Sequence, residues 1–155
     1  MRRTKKDTDL GLPPKTEHTL YVSMTKLQLK MYRNYLKYRS VYGSHKGNES
    51  NSQMATRKIC NHPYLFPEIE SEESDQYGEH LVENCGKMIV LDKLLDKLIK
   101  KEKRKILIFS QFKIQLDILE DYCTMRAYNF LRLDGDTDIE EREEMMKMFN
   151  EDKKY

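Results

Sequence analysis

Residues Lys105 to Thr137 read K-I-L-I-F-S-Q-F-K-I-Q-L-D-I-L-E-D-Y-C-T-M-R-A-Y-N-F-L-R-L-D-G-D-T. Ile106 to Phe109 is an unbroken apolar run, the pattern of a strand covered on both faces. Phe112, Leu116, Leu119 and Cys123 then recur at helical spacing. Phe130 to Leu133 supplies a second short strand. Asp134-Gly135-Asp136-Thr137 turns into a further helix. Strand, helix, strand, helix in one sheet is a right-handed parallel crossover, so the fold class expected is α/β. Both strands then end at one sheet edge, where polar residues open a helix. Open α/β sheets bind their ligands at that edge.

Working outward, Met88, Leu91, Leu95 and Leu98 form one helical face before the first strand, with Lys93, Asp96, Lys97 and Lys100 mostly opposite. After the second strand, Thr137-Asp138-Ile139-Glu140 fits a capping box, and Ile139, Met146 and Phe149 give the last helix an apolar stripe. Upstream, Glu17 to Val22 reads as a short strand. Thr25-Lys26-Leu27-Gln28 is a second capping box, and Leu27, Met31, Tyr35 and Tyr38 predict a helix over Thr25 to Arg39. Val41 to Gln53 is a loop by composition. Arg57 to Phe66 begins as a helical turn and must break before Pro63. Pro67 to Gly78 is acidic, poor in apolar residues, and reads as a linker that marks the main boundary.

The 155 residues carry 35% charged and 38% hydrophobic side chains, no Trp, and a net charge of +2. That composition predicts a modest core under a heavily solvated surface. The basic blocks at Arg2 to Lys6 and Lys97 to Lys105, and the acidic stretch Glu68 to Glu79, fit solvated faces as well as binding sites. Cys60, Cys85 and Cys123 are an odd number with no C-x-x-C pair, which suits free thiols in a reducing compartment. No apolar run reaches the roughly 18 residues of a membrane span, and no apolar signal core opens the chain. A soluble intracellular protein is expected.

Several motifs fail as sites. An EF-hand loop beginning at Asp134 would place its glycine at Ile139 and its bidentate glutamate at Met145. A phosphatase of the haloacid dehalogenase kind, D-x-D-x-T, would find Asp138 at its Thr position. Gly86-Lys87 is no nucleotide loop, because Met88 replaces Ser/Thr and Leu81 sits where the first glycine belongs. Cys60-Asn61-His62 lacks a second ligand pair at zinc spacing. Phosphate contact fits better. Gly135 permits close approach to the backbone, Thr137 offers a hydroxyl beside a helix start, and Ser110 does the same after the first strand. Two such sites on one edge suit successive phosphates of a nucleic-acid backbone. Capping alone also explains these residues.

In order and spacing, five stretches resemble the SWI/SNF-related chromatin-remodelling ATPases, above all their imitation-switch (ISWI) branch. They are Arg57-Lys-Ile-Cys-Asn-His-Pro-Tyr-Leu-Phe66, Gly86-Lys-Met-Ile-Val-Leu-Asp-Lys-Leu-Leu95, Ile106-Leu-Ile-Phe-Ser-Gln111, Leu116-Asp-Ile-Leu-Glu-Asp-Tyr-Cys123 and Arg132-Leu-Asp-Gly-Asp-Thr137. The resemblance covers nearly the whole chain. It implies residues 1–24 as the exit from a first motor lobe and an extended connector, 25–66 as a helical protrusion, 67–85 as an acidic linker, and 86–155 as the first half of an incomplete RecA-like helicase lobe two with parallel strands. It also implies Ser110, Gln111, Gly135 and Thr137 as contacts to DNA phosphates, with Lys113 and Arg132 beside them.

The parent would use ATP and Mg to translocate DNA and slide nucleosomes in the nucleus, with histones and remodelling-complex subunits as partners and no membrane. Two departures stand out. Cys85 replaces the usual Ser before Gly86-Lys87, and Ser50 to Ala55 is more polar than the family's apolar helix, which argues against a helix there. No P-loop, acidic ATP box or arginine-finger segment occurs in the sequence, and phosphoryl transfer depends on those parts. The sequence looks cut, and the chain alone is expected to hydrolyse nothing and to need no cofactor. The alternatives are a non-enzymatic DNA- or protein-interaction module and, more remotely, the phosphatase.

Overall fold

The computed structural model describes residues 14–42, 49–71 and 74–152. The expected lobe-one exit at the start of the chain, the middle of the Val41–Gln53 loop and part of the acidic linker lie outside the described residues. Helix α1 spans Lys26–Tyr42 and α2 spans Glu49–Asn61. Two 3-10 turns follow, Pro63–Leu65 and Pro67–Ile69. A short α3 (His80–Glu83) leads into α4 (Gly86–Leu95), which continues as a π-helical turn over Asp96–Lys101. Helices α5 (Lys113–Met125) and α6 (Ile139–Glu151) complete the order.

The first capping box closes as its sequence requires. Gln28 N–H donates to the Thr25 hydroxyl at 3.3 Å, and Thr25 N–H donates to Gln28 Oε1 at 3.1 Å. Gln28 also works over long range. Its Oε1 accepts Gly86 N–H at 3.0 Å, and its Nε2 donates to Ile59 O at 2.8 Å. The Thr25 hydroxyl donates to Asn84 O at 2.8 Å. One side chain, 1% exposed, therefore joins the starts of α1 and α4 to the end of α2. The approach is close enough to demand glycine: a Cβ at Gly86 would lie 2.0 Å from Ser23 O.

Two apolar clusters form the core. Val82, Cys85, Met88, Leu95, Leu119 and Tyr122 fill the space between α4 and α5. Tyr64, Leu65, Leu81 and Ile118 close the second cluster, where the Pro63–Leu65 turn meets α3 and α5. Each fully buried side chain of this size stabilises by about 1.5–3 kcal/mol. The π-helical turn shifts the register after Leu95, so that Ile99, and not the expected Leu98, packs against the first cluster. Arg126 ties the end of α5 to its neighbours. Its Nε reaches Asp92 at 2.8 Å and its Nη1 and Nη2 reach Glu79 at 2.5 and 2.8 Å, while the Tyr122 hydroxyl donates to Asp92 at 2.8 Å.

Four expectations need correction. The parallel strands are not formed: among the described residues there is no strand, and 103–110 and 128–134 run without a ladder. Ile106 packs on the first cluster, but Leu107 and Phe109 are 68% and 89% exposed, so no second layer covers the run read as doubly buried. Both segments border a groove of about 590 Å³ and do not pair with each other. Glu17 to Val22 likewise forms no strand. The Glu49–Gln53 stretch, read as loop, is helical, and among the described side chains of α2 the buried one is Ile59 near its end. Finally, α6 starts at Ile139 after Asp138, with no side-chain cap, because the Thr137 hydroxyl is engaged by Asp134 N–H at 3.1 Å.

Candidate nucleic-acid interface

Ser110 and Gln111 sit where the first extended segment meets the start of α5. The Ser110 hydroxyl accepts Phe112 N–H at 3.1 Å and donates to Phe112 O at 3.1 Å, which fixes the reversal into the helix. Gln111 Oε1 accepts a hydrogen bond from Arg57, whose guanidinium lies 5.9 Å from the Phe112 ring centroid. Helix α2 is thereby joined to the same edge.

The Asp134–Thr137 turn lies beside it. The Asp134 carboxylate accepts Asp136 N–H at 2.8 Å, and Thr137 N–H donates to Asp134 O at 3.4 Å. The Asp136 N–H, followed by Arg132 and Lys113, holds the Asp134 carboxyl below the usual carboxylate range. Nothing lies within 4 Å of a Cβ built at Gly135, so the chain's own packing leaves open space there. Lys113 pairs with Asp136 and stands 3.8 Å from Asp134, and those partners, the Asp136 bond foremost, raise its pKa. Through Lys113 the Ser110–Gln111 edge and the Gly135–Thr137 turn form one surface.

Arg132 is held differently from a free phosphate anchor. It contacts Asp117 at 2.7 Å, Glu120 at 2.8 Å and Asp134 at 3.1 Å, and these carboxylates, with Glu120 foremost, raise its pKa. A phosphate reaching Arg132 must displace or share with three carboxylates. Its spacing in sequence showed none of this, because Asp117 and Glu120 arrive from α5.

Two cations escaped the reading of the sequence. Arg57 and Lys87 both line a cleft of about 430 Å³ that also takes in Asn61, Ser110, Gln111 and Gln115. Lys87 Nζ donates to Asn61 Oδ1 at 2.7 Å. Lys87 was weighed only as part of a failed nucleotide loop and Arg57 only as part of a motif. Their shared cleft is a tertiary feature, for which the sequence holds no local signal.

The α4 start does not fit a nucleotide triphosphate. Gly86 N–H is taken by Gln28, and the N–H groups of Lys87 and Met88 are directed to the Cys85 sulfur. Burial pushes that thiol up, and it donates to Asn61 O at 2.9 Å. No group of three or more His, Cys, Asp or Glu among the described residues is placed to hold a metal ion. No described helix is long and apolar enough to cross a membrane.

Comparison with known proteins agrees with this architecture. Residues 1–65 match the SNF2-related domain, and residues 86–155 match the helicase conserved C-terminal domain. The chain is 47% identical over 155 residues to the human SWI/SNF-related matrix-associated actin-dependent regulator of chromatin subfamily A member 1, covering 97% of this chain and 15% of that protein. It is 45% identical over 157 residues to the ISWI chromatin-remodeling complex ATPase ISW1 of Saccharomyces cerevisiae, covering 97% of this chain and 14% of that one. It thus spans about 15% or less of the length of these relatives. The crystal structure of the C-terminal part of the Fun30 ATPase domain superimposes with a TM-score of 0.69 at 26% identity, covering 92% of this chain and 67% of that one. The chain belongs to the SWI/SNF-related family of chromatin-remodelling ATPases and matches part of it, with ISWI ATPases among its relatives.

Proposed function

We propose that this chain supplies the DNA-backbone grip and the lobe-two scaffold of an ISWI-like remodelling ATPase. The observation that carries the reading is the single surface formed by Ser110, Gln111, Lys113 and the Gly135–Thr137 turn, at the starts of two successive helices. Residues 25–66 act as a helical protrusion, 67–85 as a linker, and 86–155 as the leading half of a RecA-like lobe, following a junction at 1–24. In the whole protein the Ile106–Phe109 and Phe130–Leu133 runs become strands only where further sheet elements cover them, which the exposure of Leu107 and Phe109 fits. The whole protein couples ATP and Mg to DNA translocation and nucleosome sliding in the nucleus, alongside remodelling-complex subunits.

Two assays of the chain test the reading. DNA-stimulated ATPase activity stays at the level of a mock preparation. A labelled duplex binds at low salt, and its log K falls linearly with log salt as phosphates are neutralised. Thr137→Ala weakens that binding, since Asp134 N–H loses its 3.1 Å partner and the turn loosens. Equal affinity of Thr137→Ala and wild type would remove the turn from the grip, and measurable turnover would remove the division of labour.

A further inference from the structure

We propose that Arg57 and Lys87, with the buried amide of Gln115, form an additional phosphate site beside Ser110 and Gln111 that takes a phosphodiester group of a nucleic-acid strand. The inference rests on the DNA-grip reading and names where the grip is strongest. Three observations converge on it.

The first is the charge of the lining. The cleft holds two cations and no carboxylate among its described residues. Neither Arg57 nor Lys87 takes part in an ion pair among the described residues, whereas Arg132 meets three carboxylates and Lys113 meets two. An incoming phosphate at the cleft adds attraction without displacing an internal partner. At Arg132 it must compete with Asp117, Glu120 and Asp134.

The second is preorganisation. The Arg57 guanidinium is held by Gln111 and lies against the Phe112 ring, and it keeps further N–H donors in a planar fork. Such a fork matches two oxygens of a phosphate. Lys87 is anchored by Asn61 at 2.7 Å and retains ammonium protons for a second contact.

The third is an orphan. Gln115 is 8% exposed, lines the cleft, and its Oε1 is buried without a hydrogen-bond partner. Buried polar atoms are nearly always paired, and leaving one unpaired is costly. A primary amide has two ends. Rotation about its terminal bond presents NH₂ in place of oxygen, a donor that suits an acceptor such as a phosphate oxygen. A donor, two cations and two flanking polar side chains thus converge on one cleft.

The experiment measures binding of the full chain to a fluorescein-labelled duplex by anisotropy across a potassium chloride series. Arg57→Gln/Lys87→Gln should bind roughly tenfold more weakly at low salt, with the slope of log K against log salt reduced by about 0.9 per contact removed. Arg57→Lys should keep the slope, since the charge stays, and lose part of the affinity, since the bidentate fork is gone. Gln115→Leu should weaken binding and leave the slope unchanged, because it removes no charge. Unchanged melting by circular dichroism checks that each variant folds.

If wild type binds DNA but the double variant matches it in affinity and slope, the cleft is not a contact, and the proposed function stands. If wild type does not bind, both fall. Titration with inorganic phosphate by calorimetry separates the sources: saturable phosphate binding without DNA binding would make the cleft a free-anion site and overturn the nucleic-acid assignment.

Discussion

Replacing Gln28 should damage this fold more than its position one turn into a helix suggests. The side chain accepts from Gly86 N–H at 3.0 Å and from Thr25 N–H at 3.1 Å, and it donates to Ile59 O at 2.8 Å. A typical internal hydrogen bond contributes about 1 kcal/mol net, and a buried group left without its partner costs about 1–3 kcal/mol. Gly86 is buried, so its N–H has no ready access to water. Three bonds and the abandoned Gly86 N–H place the loss for Gln28→Met at about 3 kcal/mol, with the volume nearly conserved. Gln28→Ala adds the loss from a cavity. For a chain of this size 3 kcal/mol corresponds to a fall in Tm of roughly 6–12 °C. Urea unfolding followed by far-UV circular dichroism gives the value directly, provided the m-value is unchanged. A loss below about 1 kcal/mol for Gln28→Met would show that water or backbone adjustment satisfies these groups, and that Gln28 is merely a helix cap.

Two further perturbations test other parts of the structure. His62 is fully buried; its Nδ1 accepts Tyr64 N–H at 3.1 Å, and its Nε2 lies 2.9 Å from Leu81 O. Burial foremost, with His80 adding to it against the Leu81 bond, lowers its pKa from 6.5 to about 4. Because the folded pKa is the lower one, the contribution is fully present above about 6.5 and is lost as pH falls toward about 4; it amounts to roughly 3 kcal/mol. Urea midpoints measured between these values should show that loss, and His62→Gln should flatten it. Ala127 has φ 54° where α5 ends, with Tyr128 N–H reaching back to Cys123 O at 2.9 Å. This is the left-handed position of a Schellman cap, which glycine occupies without strain. Ala127→Gly should raise stability by about 0.5 kcal/mol, the relief of strain exceeding the added freedom of the unfolded chain. A fall in the urea midpoint would contradict that.

What the sequence made legible was local. The capping box at Thr25 and Gln28 closes across one turn, and α5 lies where Leu116, Leu119 and Cys123 placed it. The strands were not legible to the same degree. A strand exists only through its neighbours, and Leu107 and Phe109 have none over them among the described residues. Composition also misread the start of α2. A helix stays polar along most of its length when burial among its described side chains is confined to Ile59 near its end.

The same divide runs through the candidate site. The sequence brought Ser110 and Thr137 to neighbouring helix starts, and the structure adds that both hydroxyls already serve their own turns. It gave no sign that Asp117, Glu120 and Asp134 surround Arg132, or that Arg57 and Lys87 face one cleft from two helices. Those facts depend on how α2, α4 and α5 are packed, and no spacing rule reaches across such distances.

The central claim is that one surface of this chain grips a nucleic-acid backbone, and backbone amide shifts mapped by NMR during titration with a short duplex test it most directly. The account predicts shifts concentrated at Ser110, Gln111, Gly135 and Thr137 and extending to Arg57 and Lys87, weakening as salt rises. Shifts absent from this edge at low salt, or confined to the surroundings of Glu79 and Arg126, would contradict it.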